Sequence, residues 1–227
     1  MSVTTVNDDF AKRAAVHAAA MNWTPSPIAG VDRKPLDRIG EEVARATSIV
    51  RYAPGSAFSA HVHTGGEEFL VLEGVFQDEH GDFPAGTYVR NPPTTNHKPA
   101  SAPGCVILVK LWQFEAADRN QFRVDAGDMT FAPHRDGVVA APLHEDAREE
   151  VRMERWAPGA AVSLPPVDGL EVFVLKGGFT ESGEDFSRWS WLRLPRDAAL
   201  DAVAGPDGAE VWIKSGHLAE TPTGPTP

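Results

Sequence analysis

Three histidines and one glutamate occur in this sequence at spacings that could build a metal site. His61 and His63 are two residues apart, so both imidazoles leave the same face if this segment is a β-strand. Thr64 to Gly66 then turn the chain, and Glu67 begins a run, EFLVLEG, that is typical of a returning strand. His97 supplies a fourth donor from a later short strand. Imidazole nitrogens and a carboxylate oxygen on one face predict a transition-metal site.

The run that begins at Glu67 also predicts which of its side chains share a face with the metal. Because neighbouring side chains of a strand point to opposite faces, Glu67, Phe69 and Val71 are expected on the metal face. Glu68 and Leu70 are expected on the other face. We therefore do not expect Glu68 to be a ligand.

These spacings resemble those of the cupin family, whose first motif is G-x5-H-x-H-x3-E-x6-G. Every position of that motif is matched, by Gly55, His61, His63, Glu67 and Gly74. The second cupin motif, G-x5-P-x-G-x2-H-x3-N, is matched at Gly86, Pro92 and His97. Thr94 and Ser101 replace its glycine and its asparagine.

Within the cupins, the segment from His61 to His97, with its doubled glycine and doubled glutamate, is similar to the ChrR-type proteins. The resemblance covers residues 45–114. It implies a jelly-roll barrel, also called a double-stranded β-helix, with a metal held by His61, His63, Glu67 and His97. ChrR-type cupins include regulatory domains of zinc anti-sigma factors and stand-alone metalloproteins, some of them related to diketone-cleaving dioxygenases.

The chain contains an internal repeat, which predicts a second barrel. RYAPGSAF at 51–58 recurs as RWAPGAAV at 155–162, and GCVILVK at 104–110 recurs as GAEVWIK at 208–214, an offset of 104 residues in both blocks. EEFLVLEGVF likewise recurs as LEVFVLKGGF, for which we expect Glu67 to lie over Glu171. The other three ligand positions fall on Pro165, Val167 and Leu200. One carboxylate cannot hold a transition metal, so we expect the second copy to bind none.

The predicted fold class is mainly β, with two tandem cupin barrels and a short N-terminal helix. Asn7 could cap that helix, which would run to Met21, because two aspartates occupy its first turn. The predicted divisions are a helical segment at 1–21, a metal-binding lobe at 22–120, a degenerate metal-free lobe at 121–218 and a disordered tail at 219–227. The tail is rich in Pro and Thr and lacks apolar periodicity.

Composition excludes several classes of partner. The net charge is −11 and no run of Lys or Arg occurs, so most of the surface would repel nucleic acid. No apolar stretch approaches the roughly 20 residues that a membrane span needs. The single cysteine, Cys105, excludes an intrachain disulfide and suits a reducing compartment, so we expect a cytoplasmic protein.

Two classes of function remain open. The first is a metal-dependent dioxygenase-type enzyme, with Fe(II), acting on a small chelating substrate such as a β-diketone or hydroxyketone. Phe58, Phe69 and Val71 would hold this substrate, and an ionised Glu67 would leave the site with one net positive charge, which favours a monoanionic enolate over a dianion. The alternative is a ChrR-like regulatory or sensing metalloprotein that binds a small ligand without turnover.

We expect one divalent transition metal per chain, namely Fe, Zn, Mn or Ni, since imidazole and carboxylate accept each of them. The expected partner is a small-molecule ligand or substrate, and homodimerisation stays open. A sigma factor is disfavoured as a partner. The anti-sigma relatives carry a separate zinc-binding helical domain with an H-x3-C-x2-C motif, whereas the first 21 residues here contain His17 but no cysteine.

Overall fold

Antiparallel β-strands make up nearly all of the regular structure in residues 5–41 and 43–225, which the computed structural model describes. These residues form two units. Unit 1 contains residues 5–8, 22–128 without residue 42, and 223–225, and unit 2 contains residues 9–21 and 129–222. No helix among the described residues is long and apolar enough to cross a membrane.

Unit 1 has an eleven-stranded sheet and a two-stranded one, with strands numbered in chain order through both units. Its strands are β1 (Thr5–Val6), β3 (Thr24–Pro25), β4 (Val31–Gly40), β5 (Ala44–Tyr52), β6 (Ser56–Ala57), β7 (His61–Val62), β8 (Glu67–Asp78), β9 (Gly81–Pro84), β10 (Tyr88–Asn91), β11 (Asn96–His97), β12 (Ala100–Ser101), β13 (Cys105–Leu111) and β14 (Phe122–Val124). The main order is β1-β4-β5-β13-β8-β10-β14, and β7 pairs with β11. A 3-10 turn at Ala126–Asp128 follows β14.

Unit 2 has a nine-stranded sheet in the order β15-β16-β17-β22-β19-β21-β2. Its strands are β2 (Ala14–His17), β15 (Ala132–Arg135), β16 (Val138–Glu145), β17 (Glu150–Trp156), β18 (Ala161–Leu164), β19 (Leu170–Glu181), β20 (Glu184–Ser187), β21 (Ser190–Leu194) and β22 (Leu200–Ser215). The order repeats that of unit 1, with β17, β22, β19 and β21 in the places of β5, β13, β8 and β10. The two units therefore have the same strand order, as expected for two copies of the sequence repeat.

Each sheet packs one face into an apolar core. Phe69 and Val71 of β8 contribute to the core of unit 1, as predicted, together with Ile107 and Val109 of β13. Glu68 points the other way, where its Oε1 accepts a hydrogen bond of 2.7 Å from the Tyr88 hydroxyl. The alternation predicted for β8 is thus confirmed.

The faces opposite the two cores carry buried charged side chains. In unit 1, Lys110 Nζ donates to Thr47 Oγ1 at 2.9 Å. In unit 2, Lys214 Nζ donates to Glu149 Oε1 at 2.9 Å, and Trp191 Nε1 donates to Glu171 Oε2 at 3.0 Å. Buried charges are tolerated only with such partners, so this face is polar yet closed to solvent.

The expected N-terminal helix is wrong. Residues 14–17 form β2, which pairs antiparallel with β21 from Ala14 opposite Arg193 to His17 opposite Ser190, and only Ala18–Ala20 form a single 3-10 turn. Asn7 cannot cap a helix, since its φ is +47° and its side chain donates to the Leu36 carbonyl at 2.7 Å. A free edge of β21 offers backbone hydrogen bonds that outweigh the weak helix propensity of so short a segment.

The expected superposition of Glu67 on Glu171 is also wrong. In unit 1, Leu111 pairs with Glu67, and in unit 2 the corresponding pair is Ser215 with Leu170. The offset is therefore 103 residues in this strand, and Leu170 occupies the place of Glu67. Glu171 is the counterpart of Glu68, because Lys110 pairs with Glu68 as Lys214 pairs with Glu171.

Candidate metal centre

Two short strands and a glycine turn bring the candidate ligands together. In the pair formed by β7 and β11, His61 lies opposite His97. His63 follows β7, and two backbone hydrogen bonds join it to the facing loop. Its N–H donates to Thr95 O and its carbonyl accepts from Thr94 N–H, each at 2.9 Å. Glu67 is the first residue of β8.

The doubled glycine of the turn has a steric cause. Gly66 has φ +78°, which side-chain-bearing residues rarely adopt. A Cβ on Gly65 would lie 2.1 Å from the Trp112 ring. Only two glycines allow the chain to turn this tightly between His63 and Glu67.

The donor atoms converge inside unit 1. One ring nitrogen from each of His61, His63 and His97 lies within 4.8 Å of the others. His63 Nε2 and His97 Nε2 are 3.2 Å apart. Glu67 Oε2 lies 3.4 Å from the first and 3.5 Å from the second. His63, His97 and Glu67 are buried, whereas His61 is exposed.

Hydrogen bonds on the far side of each imidazole determine which nitrogen faces the centre. Asp78 Oδ2 is 3.3 Å from His97 Nδ1, and Ser59 O is 3.4 Å from His61 Nδ1, so both Nδ1 atoms are the protonated ones. Thr95 Oγ1 donates to Pro92 O at 2.8 Å and therefore accepts at 2.9 Å from His63 Nδ1. Each Nε2 atom is left with its lone pair available.

A metal ion fits this donor set. Ligand atoms held at about 2.1 Å from one ion lie roughly 3.0 to 3.5 Å from one another, as the Nε2 and Oε2 atoms do here. Glu67 Oε2 is buried and accepts no hydrogen bond from the described residues. Two lone pairs and a carboxylate oxygen facing each other repel unless a cation lies between them. The three histidines could therefore hold a metal ion, with Glu67 directly beside them.

The surroundings shift the pKa values of two of these histidines in opposite directions. Burial lowers the pKa of His63, against the opposing effect of Glu67 and with help from the other two imidazoles. Burial also acts to lower the pKa of His97, but its bond to Asp78 and the charges of Glu67, Asp78 and Glu79 outweigh burial and raise it. The carboxylates thus favour positive charge at His97.

Aromatic side chains form the wall next to the donor atoms. The Phe76 ring lies 5.6 Å from the His97 ring and 4.7 Å from Phe69. Phe83 lies 5.8 Å from Phe76, and Phe58 packs against the same core. A bound molecule would therefore leave water and enter apolar surroundings beyond the metal ligands.

The two departures from the second cupin motif have structural consequences. Thr94 has φ +80°, a conformation that suits glycine and strains a β-branched residue. Ser101, at the asparagine position, donates from Oγ to the Val75 carbonyl at 2.6 Å. The loop keeps the shape that glycine would give it, at a cost in strain.

Unit 2 has apolar residues at the counterparts of all four candidate ligands. Leu170 and Leu200 are buried members of its core, and Val167 packs against that core. Leu164 lies opposite Leu200 as His61 lies opposite His97, so Leu164 and not the predicted Pro165 takes the place of His61. Sequence comparison placed Val167 and Leu200 correctly and missed the counterparts of His61 and Glu67, each by one residue.

Sequence reasoning also missed the residues that orient the histidines. Asp78 lies at the end of β8, beyond the residues considered as ligands, and Thr95 lies in the loop before His97. A short polar residue next to a ligand is too common to be a signal by itself. The one usable signal is the recurrence of an acidic residue in the repeat, since Glu181 takes the place of Asp78 in β19.

Comparison with known proteins agrees with this architecture. Residues 11–115 match the family model of the ChrR Cupin-like domain. No curated protein matches the chain by sequence.

Solved structures with a similar fold cover nearly the whole chain. A candidate dioxygenase from Nostoc punctiforme has a TM-score of 0.70 at 13% identity, over 99% of this chain and 86% of that one. Protein Ylba from E. coli has a TM-score of 0.68 at 14% identity, over 92% and 93%. The bacterial pirin YhhW from Escherichia coli in complex with nickel(II) has a TM-score of 0.62 at 15% identity, over 90% and 98%.

At these identities the likeness to solved structures shows the fold alone. The family model adds the type of cupin for residues 11–115. Residues 11–115 therefore form a ChrR-type cupin, and the whole chain has the cupin fold.

Proposed function

We propose that unit 1 binds one divalent transition metal through His61, His63, Glu67 and His97. We further propose that it catalyses a dioxygenase-type reaction on a small chelating substrate of the β-diketone or hydroxyketone class. The observation that carries the proposal is the buried Glu67 oxygen, which accepts no hydrogen bond from the described residues and lies within 3.5 Å of two imidazole nitrogens. Fe(II) suits the chemistry best, while Zn, Mn and Ni suit the same ligands.

The chain's own residues have separate tasks in this proposal. Asp78 and Thr95 hold His97 and His63 with Nε2 towards the centre. Phe69, Phe76 and Phe83 exclude water from the inner side of the site. His61 is exposed, so the substrate enters on its side.

A bound Fe(II) ion would supply Lewis-acid and redox chemistry for the reaction of a chelated enolate with dioxygen. Four protein ligands of a six-coordinate ion leave room for a bidentate substrate. Unit 2 is proposed to bind no metal, since its counterpart positions are apolar. We also propose a cytoplasmic protein, because its single cysteine is free and buried.

The test is oxygen uptake by protein loaded anaerobically with Fe(II), mixed with a panel of β-diketones and hydroxyketones. We expect at least one member of the panel to accelerate uptake over the loaded protein alone. Zn(II)-loaded protein is the matched control, because zinc has no redox chemistry. If no member accelerates uptake, the enzymatic proposal is rejected.

The match of residues 11–115 to a ChrR Cupin-like domain favours a second candidate, a sensing metalloprotein that binds a small ligand without turnover. The same panel separates the two functions. Ligands that change the spectrum of the metal without accelerating uptake would establish the sensing role.

A further inference from the structure

A small cavity lies on the inner side of the unit 1 sheet, between β4, β5 and β13. It has a volume of about 40 Å³ and is lined by Val50, Val109 and Leu111 on its apolar side and by Arg33 and Arg38 on its polar side. One water needs about 10–15 Å³, so the cavity accepts a group the size of a carboxylate and its neighbouring atoms.

The cavity adjoins the candidate metal centre. Leu111 in its wall is the cross-strand neighbour of Glu67, and Val109 is the neighbour of Phe69. Both regions act on Tyr52: burial raises the pKa of its phenol, Glu67 raises it further, and Arg33 acts in the opposite direction. The cavity and Glu67 therefore lie on the same face of the sheet.

The two arginines of the cavity differ in their partners. Arg38 Nε donates to the Gly40 carbonyl at 3.0 Å. Arg33 is partly buried among apolar residues and forms no ion pair or side-chain hydrogen bond with any described residue. A partly buried guanidinium with no carboxylate beside it can still form a bidentate pair with an incoming anion.

Unit 2 shows how the same place in the fold satisfies arginine when no ligand is involved. Val50 pairs with Ile107 in unit 1 as Glu154 pairs with Val211 in unit 2. The buried Glu154 accepts from Arg152 Nε at 2.7 Å, from Trp156 Nε1 at 2.7 Å, and from Arg135. Burial acts to raise the pKa of Glu154, but these partners outweigh it and lower it. Unit 1 has valine where unit 2 has this carboxylate.

We propose that Arg33 binds the carboxylate of a substrate whose other end chelates the metal, so that the substrate is a small dioxo acid rather than a neutral diketone. This inference rests on the proposed function of the same site. A divalent metal and Glu67 together carry one net positive charge, which matches a monoanion. The metal, Glu67 and Arg33 together carry two, which match an enolate and a separate carboxylate.

The experiment compares two ligands that differ at one end. 4,6-Dioxoheptanoate and heptane-2,4-dione share the chelating group, but the first ends in a carboxylate and the second in a methyl group. Their binding to the full chain, loaded anaerobically with Fe(II), is measured by titration calorimetry and by the spectrum of the metal. We expect the carboxylate ligand to bind about 10- to 100-fold more tightly, as a charge-assisted hydrogen bond would give.

Arg33→Gln should remove this preference without changing the affinity for heptane-2,4-dione. Arg51→Gln is the matched control, since Arg51 lies on the opposite face of β5, where it pairs with Asp32 at 2.6 Å, and its removal should leave the preference intact. Val50→Glu should also remove the preference, because it supplies the carboxylate that unit 2 carries at this place.

Equal binding of the two ligands to the unmodified protein would overturn the role of Arg33 and leave the proposed function standing. A preference that survives in both Arg33→Gln and Val50→Glu, with metal content unchanged, would do the same. If neither ligand binds the metal-loaded protein, the proposed function itself fails, and this inference fails with it.

Discussion

The two units share a strand order. Corresponding positions carry the same kinds of residue on one face of the sheet and different residues on the other. The face opposite each core keeps the same kinds of residue at corresponding positions: Glu68 and Glu171, Tyr88 and Trp191, Arg90 and Arg193, Lys110 and Lys214. The inner face does not. The candidate ligands of unit 1 are replaced in unit 2 by Leu164, Val167, Leu170 and Leu200.

This difference separates maintenance of the fold from function. Tyr88 and Trp191 differ chemically, yet each donates a hydrogen bond to the glutamate that follows the first residue of its strand. Retention in both units indicates that these polar contacts serve the barrel itself. The candidate ligands on the inner face of unit 1, which its copy lacks, are then what the barrel can lose without losing its shape.

The sharpest test of the comparison is metal stoichiometry. The protein should bind one metal ion per chain, and the double substitution His61→Ala with His63→Ala should abolish binding, because two of the four ligands are removed. His134→Ala, in an exposed part of unit 2, should change nothing. The measurement is metal content after dialysis, determined by mass spectrometry for the parent protein and each variant. Two ions per chain, or binding that survives the double substitution, would erase the distinction between the units.

Glu171→Leu tests whether the outer polar face maintains the fold. This change leaves His217 Nε2, 2.7 Å from Glu171 Oε1, and the Trp191 indole without their acceptor. Breaking such a buried set should lower the free energy of unfolding by about 3–5 kcal/mol, measured by urea denaturation. Metal content should not change. A stability loss below about 1 kcal/mol would show that this face is not structural.

Glu67→Leu gives unit 1 the residue that unit 2 has, and the expected effect is opposite in sign. In metal-free protein it removes a buried carboxylate oxygen that has no hydrogen bond, so it should raise the free energy of unfolding by about 1–3 kcal/mol. It should also weaken metal binding. A metal-free variant less stable than the parent would mean that Glu67 is structural, contrary to the comparison.

The smallest expected effect concerns a turn that both units share. Thr94 has φ +80° in unit 1, and Asp197 has φ +62° at the corresponding place in unit 2. Aspartate tolerates this conformation better than a β-branched residue. Thr94→Gly should therefore raise the unfolding free energy by up to about 1 kcal/mol, read as a small rise in melting temperature, while Asp197→Gly should have less effect. Equal effects at both sites would argue against strain at Thr94.

Sequence alone predicted the fold class, the repeat, and the residues that meet at the centre. These succeed because ligand spacing and two-residue alternation are local properties: His61 and His63 must share a face of any strand. The prediction of an N-terminal helix was wrong because β2 forms by pairing with the edge of β21, and no local sequence pattern indicates that edge. The predicted alignment of Glu171 with Glu67 was wrong because a one-residue change in offset moves every side chain of a strand to the other face.

The role proposed for Arg33 could not be predicted from the sequence for a similar reason. Arg33 occurs in a run of mixed charge and proline, VDRKPLDR, with nothing to indicate that it faces the cavity. Only the three-dimensional register shows that Val50 lacks the carboxylate that Glu154 supplies in unit 2.

The placement of β2 also has a consequence for synthesis. Each unit is completed at one edge by a strand that lies outside its main stretch of sequence, and for unit 2 that strand is β2, made near the start of the chain. His17 of this strand leaves the ribosome 173 residues before Ser190, its partner. Unit 2 can therefore close only late in translation, and β2 must stay unpaired until then.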